Sequence, residues 1–130
     1  MKKISVVFLC VCLLTTLGCT NRPDDIRREI YEVGLEVLTI VDSFFDEEIG
    51  VEEVELQVRN FYEKINDILL LTEAEDFVIS AIVMINIGLL LIRDAELFDT
   101  PQEEIDRFVE ILFENRNIFA ELLNQPIREN

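Results

Sequence analysis

Apolar residues recur at helical spacing along three stretches of this chain. In each stretch the steps between apolar positions are three, four or seven residues, which is typical of an amphipathic helix with one buried face. The positions are Ile26, Ile30, Val33, Val37, Ile40 and Phe44 in the first stretch, Val51, Val54, Val58, Phe61, Ile65 and Ile68 in the second, and Ile105, Phe108, Leu112, Phe119 and Leu122 in the last.

The stretch Phe77–Ile92 has a different pattern. Only Ser80, Asn86 and Gly88 interrupt its apolar residues, and it contains no charged residue. A helix that is apolar on all sides must be buried or covered by a partner. The stretch is shorter than the roughly 20 apolar residues that a bilayer span needs. We therefore expect a buried helix that the three amphipathic helices surround.

Breaker and capping residues mark the expected helix ends. Pro23 suits the first turn of helix one, and Gly50 would end that helix near Glu48. Helix two is expected to run from Val51 to about Leu71. Thr72–Glu75 and Thr100–Glu103 have the spacing of capping boxes, which would begin helices three and four. Pro126 would end helix four and leave a loose tail, Ile127–Asn130.

The short connections predict the arrangement of these helices. Consecutive helices joined by short connections run antiparallel. No stretch shows useful strand alternation, and no Gly-rich phosphate loop is present. The sequence therefore predicts an all-α fold, an up-down-up-down antiparallel four-helix bundle.

The N-terminus has the layout of a secretory signal. A basic start, Met1–Lys3, precedes the largely apolar stretch Ile4–Leu17, and the chain turns polar after Cys19. Thr16-Leu17-Gly18-Cys19 resembles the lipobox of bacterial lipoproteins, although Thr16 stands where the family usually has Leu and Leu17 where it has a small residue. An uncleaved anchor helix and an ordinary signal peptide are the alternatives.

The resemblance implies a location and a division of the chain. Residues 1–18 would be a signal peptide, and 19–130 would be a single acidic helical domain with lipidated Cys19. The protein would be held at the bacterial cell envelope by its acyl chains. Because Thr20 is not the Asp that retains many such proteins in the inner membrane, an outer-membrane site facing the periplasm is favoured if the source is Gram-negative.

The composition excludes several functions. Among 130 residues, 27 are acidic and 11 basic, giving a net charge of −16 that disfavours nucleic-acid binding. The chain has no His, which excludes Ser-His-Asp and Cys-His catalysis and His-ligated zinc. The carboxylate pairs Glu32/Glu36 and Glu52/Glu55 have the spacing of solvated helix faces. We therefore expect a protein without catalytic activity, cofactor or bound metal.

Acidic residues concentrate where the bundle would place two connections at its membrane-distal end. This acidic crown would combine one group from the first connection with another from the third, and it could attract a basic partner or a divalent cation. An ordinary solvated end is the alternative. The crown residues are Asp46, Glu47, Glu48, Glu52, Glu53, Asp99, Glu103 and Glu104. Arg22, Arg27 and Arg28 would lie near the anchor instead.

Helix three is the candidate binding element, because three neighbours do not obviously cover all of its apolar surface. The excess surface would serve self-association, a groove for a partner helix, or a small apolar ligand in the core. Complete wrapping by the other helices is the alternative. The candidate residues are Val78, Ile82, Met84, Ile85, Gly88, Leu89 and Ile92. The favoured function is thus a lipid-anchored interaction or adaptor module that binds itself or another envelope protein, and the alternative is a carrier or sensor of an apolar ligand.

Overall fold

The computed structural model describes residues 21–130, which form a bundle of four helices. These are α1 (Arg28–Phe45), α2 (Val51–Glu63), α3 (Glu73–Leu97) and α4 (Gln102–Leu122), and no strand occurs in this range. α3 packs most extensively, against both α2 and α4. The predicted all-α, up-down-up-down four-helix bundle is therefore confirmed. Cys19 and the expected signal segment lie outside the described residues.

The core follows the predicted apolar stripes. α1 contributes Ile30, Val37 and Val41, which are fully buried, and α2 contributes Val54 and Val58. Phe119 is the largest fully buried side chain, and it comes from α4. Burial of these stripes stabilises the bundle by roughly 25 cal/mol for each Å² of apolar surface removed from water.

The first helix starts later and ends earlier than the spacing predicted. Pro23 lies in a turn that closes with a hydrogen bond from the Ile26 amide, and α1 begins only at Arg28. At the other end Glu47 adopts a left-handed backbone with φ of 58°. The Glu48 amide then reaches back to the Ser43 carbonyl at 2.9 Å, a bond that closes a helix end. Gly50 instead precedes the first turn of α2.

The prediction that helix two continues to Leu71 was wrong. α2 ends at Glu63, and the chain continues in turns whose amides bond three residues back, as Ile68 does to Ile65. Such turns nearly preserve the helical spacing, so Ile65 is still buried. Apolar spacing alone cannot separate these turns from a continuing α-helix.

One of the two predicted capping boxes forms. The Thr72 hydroxyl accepts a hydrogen bond from the Glu75 amide, and the Glu75 carboxylate accepts one from the Thr72 amide, each at 3.1 Å. The second box is absent, because α4 begins one residue later than expected. Pro101 is then the residue before the first turn, and it has no side-chain oxygen to offer.

The C-terminal tail is bound to the bundle rather than loose. The Asn117 side chain accepts a hydrogen bond from the Arg128 amide at 2.8 Å and donates one to the Arg128 carbonyl at 2.9 Å. The Arg128 guanidinium pairs with Asp46 and Asp42 at the end of α1. The end of the helix at Pro126 had suggested a loose tail, but the tail's partners lie on two different helices.

Candidate interaction surface

The apolar residues of α3 divide into two faces. Val78, Ile82, Ile85, Leu89 and Ile92 are buried in the bundle core. The opposite side presents Phe77, Met84, Ile87 and Leu91, each 44–53% exposed. The five core residues had been predicted as candidate interface positions, and their burial is a correction, since no partner can reach them in the folded bundle. Of the predicted set, only Met84 points outward.

Gly88 lies where α3 and α4 approach each other. A Cβ atom built at Gly88 would lie 3.4 Å from Cδ1 of Leu112, which is ordinary contact distance. Leu112 is itself fully buried and lies beside Gly88. A methyl group would fit at position 88, so this helix contact does not require glycine, and Leu112 occupies the place where an apolar ligand beside Gly88 would have to lie.

Two isoleucines on α4 extend the exposed apolar side of α3. Phe113 contacts Phe45 of α1, with ring centroids 5.3 Å apart. Because successive residues turn by about 100° around a helix, Ile111 lies on the opposite flank of Leu112, towards α3. Ile118 follows two turns later on the same flank. Both are exposed, at 46% and 56%.

These side chains together form a surface that we call the outer face, consisting of Phe77, Met84, Ile87 and Leu91 of α3 with Ile111 and Ile118 of α4. No charged residue interrupts α3 between Asp76 and Arg93. Arg93 contacts Glu55 of α2 at 3.2 Å, which places Leu91 on the other flank of α3, towards α4. An exposed apolar strip of this kind is characteristic of binding surfaces.

By length and composition, α3 also meets the criteria for a membrane span. Its mean hydropathy reaches 2.1, with 33% of that segment buried in the bundle. Such values are shared by core helices of soluble proteins and are weak evidence for a span. In this bundle α3 packs against α2 and α4, and its central residues form the core.

The acidic crown is only partly a set of free carboxylates. The alternating helix directions bring both connections to one end, as expected. Glu47, Glu48, Glu52, Glu53, Asp99, Glu103 and Glu104 are exposed there. Asp46 instead pairs with Arg128, whose hydrogen bond lowers the pKa of the Asp46 carboxyl. Within residues 21–130 no three His, Cys, Asp or Glu side chains are grouped so that they could hold a metal ion.

Glu75 is a buried carboxylate with a complete set of partners. Its side chain is 1% exposed and lies 2.6 Å from Nε of Arg27. Burial disfavours the charged form, but the hydrogen bonds from Arg27 and Thr72 outweigh it, so the pKa of Glu75 is lowered. This ion pair ties the segment before α1 to the first turn of α3.

Two further charged clusters were not expected from the sequence. Glu55 is buried between Arg59 and Arg93, at 3.3 and 3.2 Å, although its pairing with Glu52 had suggested a solvated position. Arg116 is buried and donates two hydrogen bonds to Asp42, both 2.8 Å long. A sequence signal did exist for Arg116, which stands four residues after Leu112 and three before Phe119, within the apolar stripe of α4.

The three clusters contribute to helix packing. Each buried charge is held by an opposite charge from another segment, the arrangement that burial requires. Asp42 and Arg116 also line a surface pocket with Thr39, whose hydroxyl donates to the Leu35 carbonyl. Glu32 and Glu36, the other carboxylate pair considered, are bound separately to Arg28 and Lys64.

Comparisons of the chain with protein-family models, curated proteins and solved structures found no match.

Proposed function

We propose that this protein is a lipid-anchored, non-catalytic interaction module of the bacterial cell envelope that pairs with a second copy of itself through the outer face. The observation that carries the proposal is the exposed, charge-free strip along α3, continued by Ile111 and Ile118 of α4. This proposal differs from the sequence hypothesis in two respects. The sequence hypothesis left open whether the partner is a second copy or another envelope protein, and the proposal now names a second copy. The binding residues are the outward ones of α3, and the inward ones form the core.

The size of the outer face fits a small interface. Its part of α3 runs from Phe77 to Leu91, which is about 22 Å of helix. Two helices with axes about 8–10 Å apart, each about 10 Å wide, present a surface roughly 18–20 Å across. The product is roughly 400 Å² per copy, half of the about 800 Å² per partner of a standard stable interface, which is the size of a weak pair.

The charge distribution also favours the outer face, rather than another surface of the bundle, as the site of association. The chain has 27 carboxylates, yet none falls on α3 between Asp76 and Asp94. Depletion of charge from the centre of a patch, with charged residues at its margin, is the composition of a protein interface. A second copy of the chain is a suitable partner, because a two-fold axis places the apolar strip of one copy against the same strip of the other.

The proposed anchor supports pairing. Acyl chains on Cys19 would confine the copies to one membrane surface, which raises their effective concentration. A weak contact in solution would then suffice in the envelope. The carrier alternative is less well supported, because Leu112 lies beside Gly88 and Met84 faces outward.

The test compares two carboxylates introduced in the outer face with one introduced on another helix. Met84→Glu/Leu91→Glu places carboxylates in the outer face, whereas Leu56→Glu places one on α2 at a similarly exposed site, 49% against 51% for Met84. Sedimentation equilibrium of the full chain in density-matched detergent measures the mass. We expect a dimer for the parent and Leu56→Glu, and a folded monomer for the double variant.

Other outcomes would contradict the proposal. A parent chain that stays monomeric up to millimolar concentration, the range that confinement to a membrane provides, would leave the outer face without its partner. A double variant that stays dimeric would place the interface elsewhere. Circular dichroism of each variant confirms that the bundle is folded before its mass is interpreted.

A further inference from the structure

The connection between α2 and α3 carries two almost fully exposed leucines. Leu69 is 79% exposed and Leu70 is 97% exposed, the highest value among the large hydrophobic residues of the described chain. Leu70 also adopts a left-handed backbone with φ of 57°. We call this pair the leucine tip.

Folding does not account for Leu70. A left-handed conformation is unfavourable for a bulky side chain and is better tolerated by Gly or Asn. A side chain that is almost fully exposed gains little packing in return. Because no packing contact offsets this backbone strain, the strain indicates a role for Leu70 other than folding.

The tip is held in place rather than left free. Nη2 of Arg27 donates to the carbonyls of Leu69 and Leu70, at 3.4 and 3.2 Å. The same guanidinium binds buried Glu75, and the Thr72 hydroxyl donates to the Asp25 carbonyl at 2.6 Å. The two leucines therefore project from a backbone that is fixed on both sides.

The leucine tip lies at the end of the bundle where the described chain begins. Asp25 and Arg27 contact the connection directly, and the Asn124 side chain donates to the Asn21 carbonyl at 3.2 Å. Cys19 stands two residues before Asn21, and two extended residues reach only about 7 Å. Acyl chains on Cys19 would therefore hold this end against a bilayer.

The charges of this end do not draw it to anionic lipid. Arg22, Arg27 and Arg28 lie near Asp24 and Asp25, and the connection and first turn of α3 add the exposed acids Asp67, Glu73 and Asp76, so negative charge prevails. The opposite end carries the exposed carboxylates of the acidic crown. Contact with lipid must then come from apolar side chains more than from charge.

We infer that Leu69 and Leu70 insert into the acyl region of the bilayer beside the lipid anchor and set the orientation of the bundle on the membrane. This inference rests on the proposed anchor at Cys19 and is independent of the proposed dimer. The leucine tip gives the bundle a second attachment point to the bilayer. Two attachment points fix the tilt of the bundle relative to the bilayer, which the acyl chains alone would not fix.

The absence of Trp from the chain allows a direct test. Leu70→Trp and Leu69→Trp place a single tryptophan in the tip, and the second variant avoids the strained backbone of Leu70. Phe98→Trp is the matched control, since Phe98 is 81% exposed in a connection at the opposite end. Each full chain, purified from bacterial membranes, is reconstituted into phosphatidylcholine vesicles with brominated or unbrominated acyl chains.

We expect brominated lipid to remove most of the fluorescence of the tip tryptophans and little of that from Phe98→Trp. Vesicle-bound protein without quenching at either tip position would overturn the inference while leaving the anchor intact. Equal quenching at Phe98→Trp would also overturn it, because the bundle would have no fixed orientation. Failure to float with vesicles would overturn the anchor and the tip together.

A substitution separates the role in membranes from a role in folding. Leu69→Asn/Leu70→Asn removes both apolar side chains and gives position 70 a residue that tolerates its backbone. We expect unchanged or higher thermal stability, with loss of the fixed orientation, seen as increased quenching in Phe98→Trp. Lower stability without a change in orientation would show that the leucines serve the fold.

Discussion

Single residues decide which charges this acidic chain can bury. Glu75 satisfies the Thr72 amide and the Arg27 guanidinium at once, so a carboxylate occupies the interior without an unpaired oxygen. Because its pKa is lowered, the ionised form of Glu75 is more stable in the folded protein than in the unfolded chain, and ionisation therefore raises the free energy of unfolding. The stabilisation is present above the ordinary pKa of about 4.5 and is lost as the pH falls through the folded value.

Glu75→Gln should remove this pH dependence. The amide keeps the size of the side chain but loses the charge that pairs with Arg27, so the unfolding free energy at pH 7 should fall by about 2 kcal/mol. The deficit should shrink as the pH falls below about 4.5, where the unfolded parent takes up a proton at Glu75, and it should be smallest below the lowered pKa of the folded state, where Glu75 of the folded parent is protonated too. Urea unfolding across pH measures both effects.

The control is Glu73→Gln, an exposed carboxylate in the same first turn of α3. It removes the same charge from the same helix end, and its effect should remain within about 0.5 kcal/mol at every pH. A deficit for Glu75→Gln that stays constant down to acidic pH would contradict the assigned ion pair.

The sequence reveals half of this arrangement. Thr72 and Glu75 have the spacing of a capping box, and that local prediction is confirmed. Arg27 precedes Glu75 by 48 positions, and no local pattern indicates that the two meet. The same limit applies to Asp42 and Arg116, since pairing between distant segments depends on the final helix packing.

At the scale of the helix, α3 shows what periodicity can and cannot predict. In an amphipathic helix, the polar residues identify the exposed face, and the opposite face is then predicted to be buried. α3 lacks that contrast, so its two faces have the same composition. Ile85 is fully buried and Ile87 is 44% exposed, although both are isoleucine within the same apolar run. The existence of the helix was predictable, and the direction in which its residues point was not.

Alanine substitutions should separate the two faces. Ile85→Ala leaves a cavity in the core and should lower the unfolding free energy by about 2–5 kcal/mol. Ile87→Ala removes a half-exposed side chain and should cost less than about 1 kcal/mol. Both are measured by urea unfolding in the Met84→Glu/Leu91→Glu background, which we expect to be monomeric. Equal losses at the two positions would contradict the assignment of the outer face.

Helix ends were less predictable than helix cores for a related reason. The stripe of α2 continues to Ile65 and Ile68 even though the helix ends at Glu63. The backbone changes from α-helix to turns while the burial pattern persists. Four residues end or connect elements with positive φ, namely Glu47, Leu70, Asp99 and Asn124. Asp99 and Asn124 are of types that favour such a turn, whereas Glu47 and Leu70 are not.

The whole molecule combines a strongly acidic surface with one apolar side and with exposed apolar residues at both ends, the leucine tip at one and Leu97 and Phe98 at the other. Its net charge of −16 opposes association of two copies, so any pairing must occur where carboxylates are absent. The outer face meets that condition along α3. The leucine tip lies at the end nearest Cys19, and the acidic crown lies at the other. In the proposed arrangement the helix axes are therefore roughly perpendicular to the membrane. The outer faces of two neighbouring copies then lie at the same distance from the bilayer and can contact each other.

Cysteine crosslinking at the outer face tests the central claim most directly. All three cysteines precede residue 20, so Ile87→Cys introduces the sole thiol of the bundle. Leu56→Cys, at a similarly exposed site on α2, and the unsubstituted chain are the controls. Mild oxidation of intact membranes should give Ile87→Cys a disulfide adduct of twice the chain mass and leave both controls unlinked. An adduct of another mass, or none at Ile87, would contradict the proposed self-association.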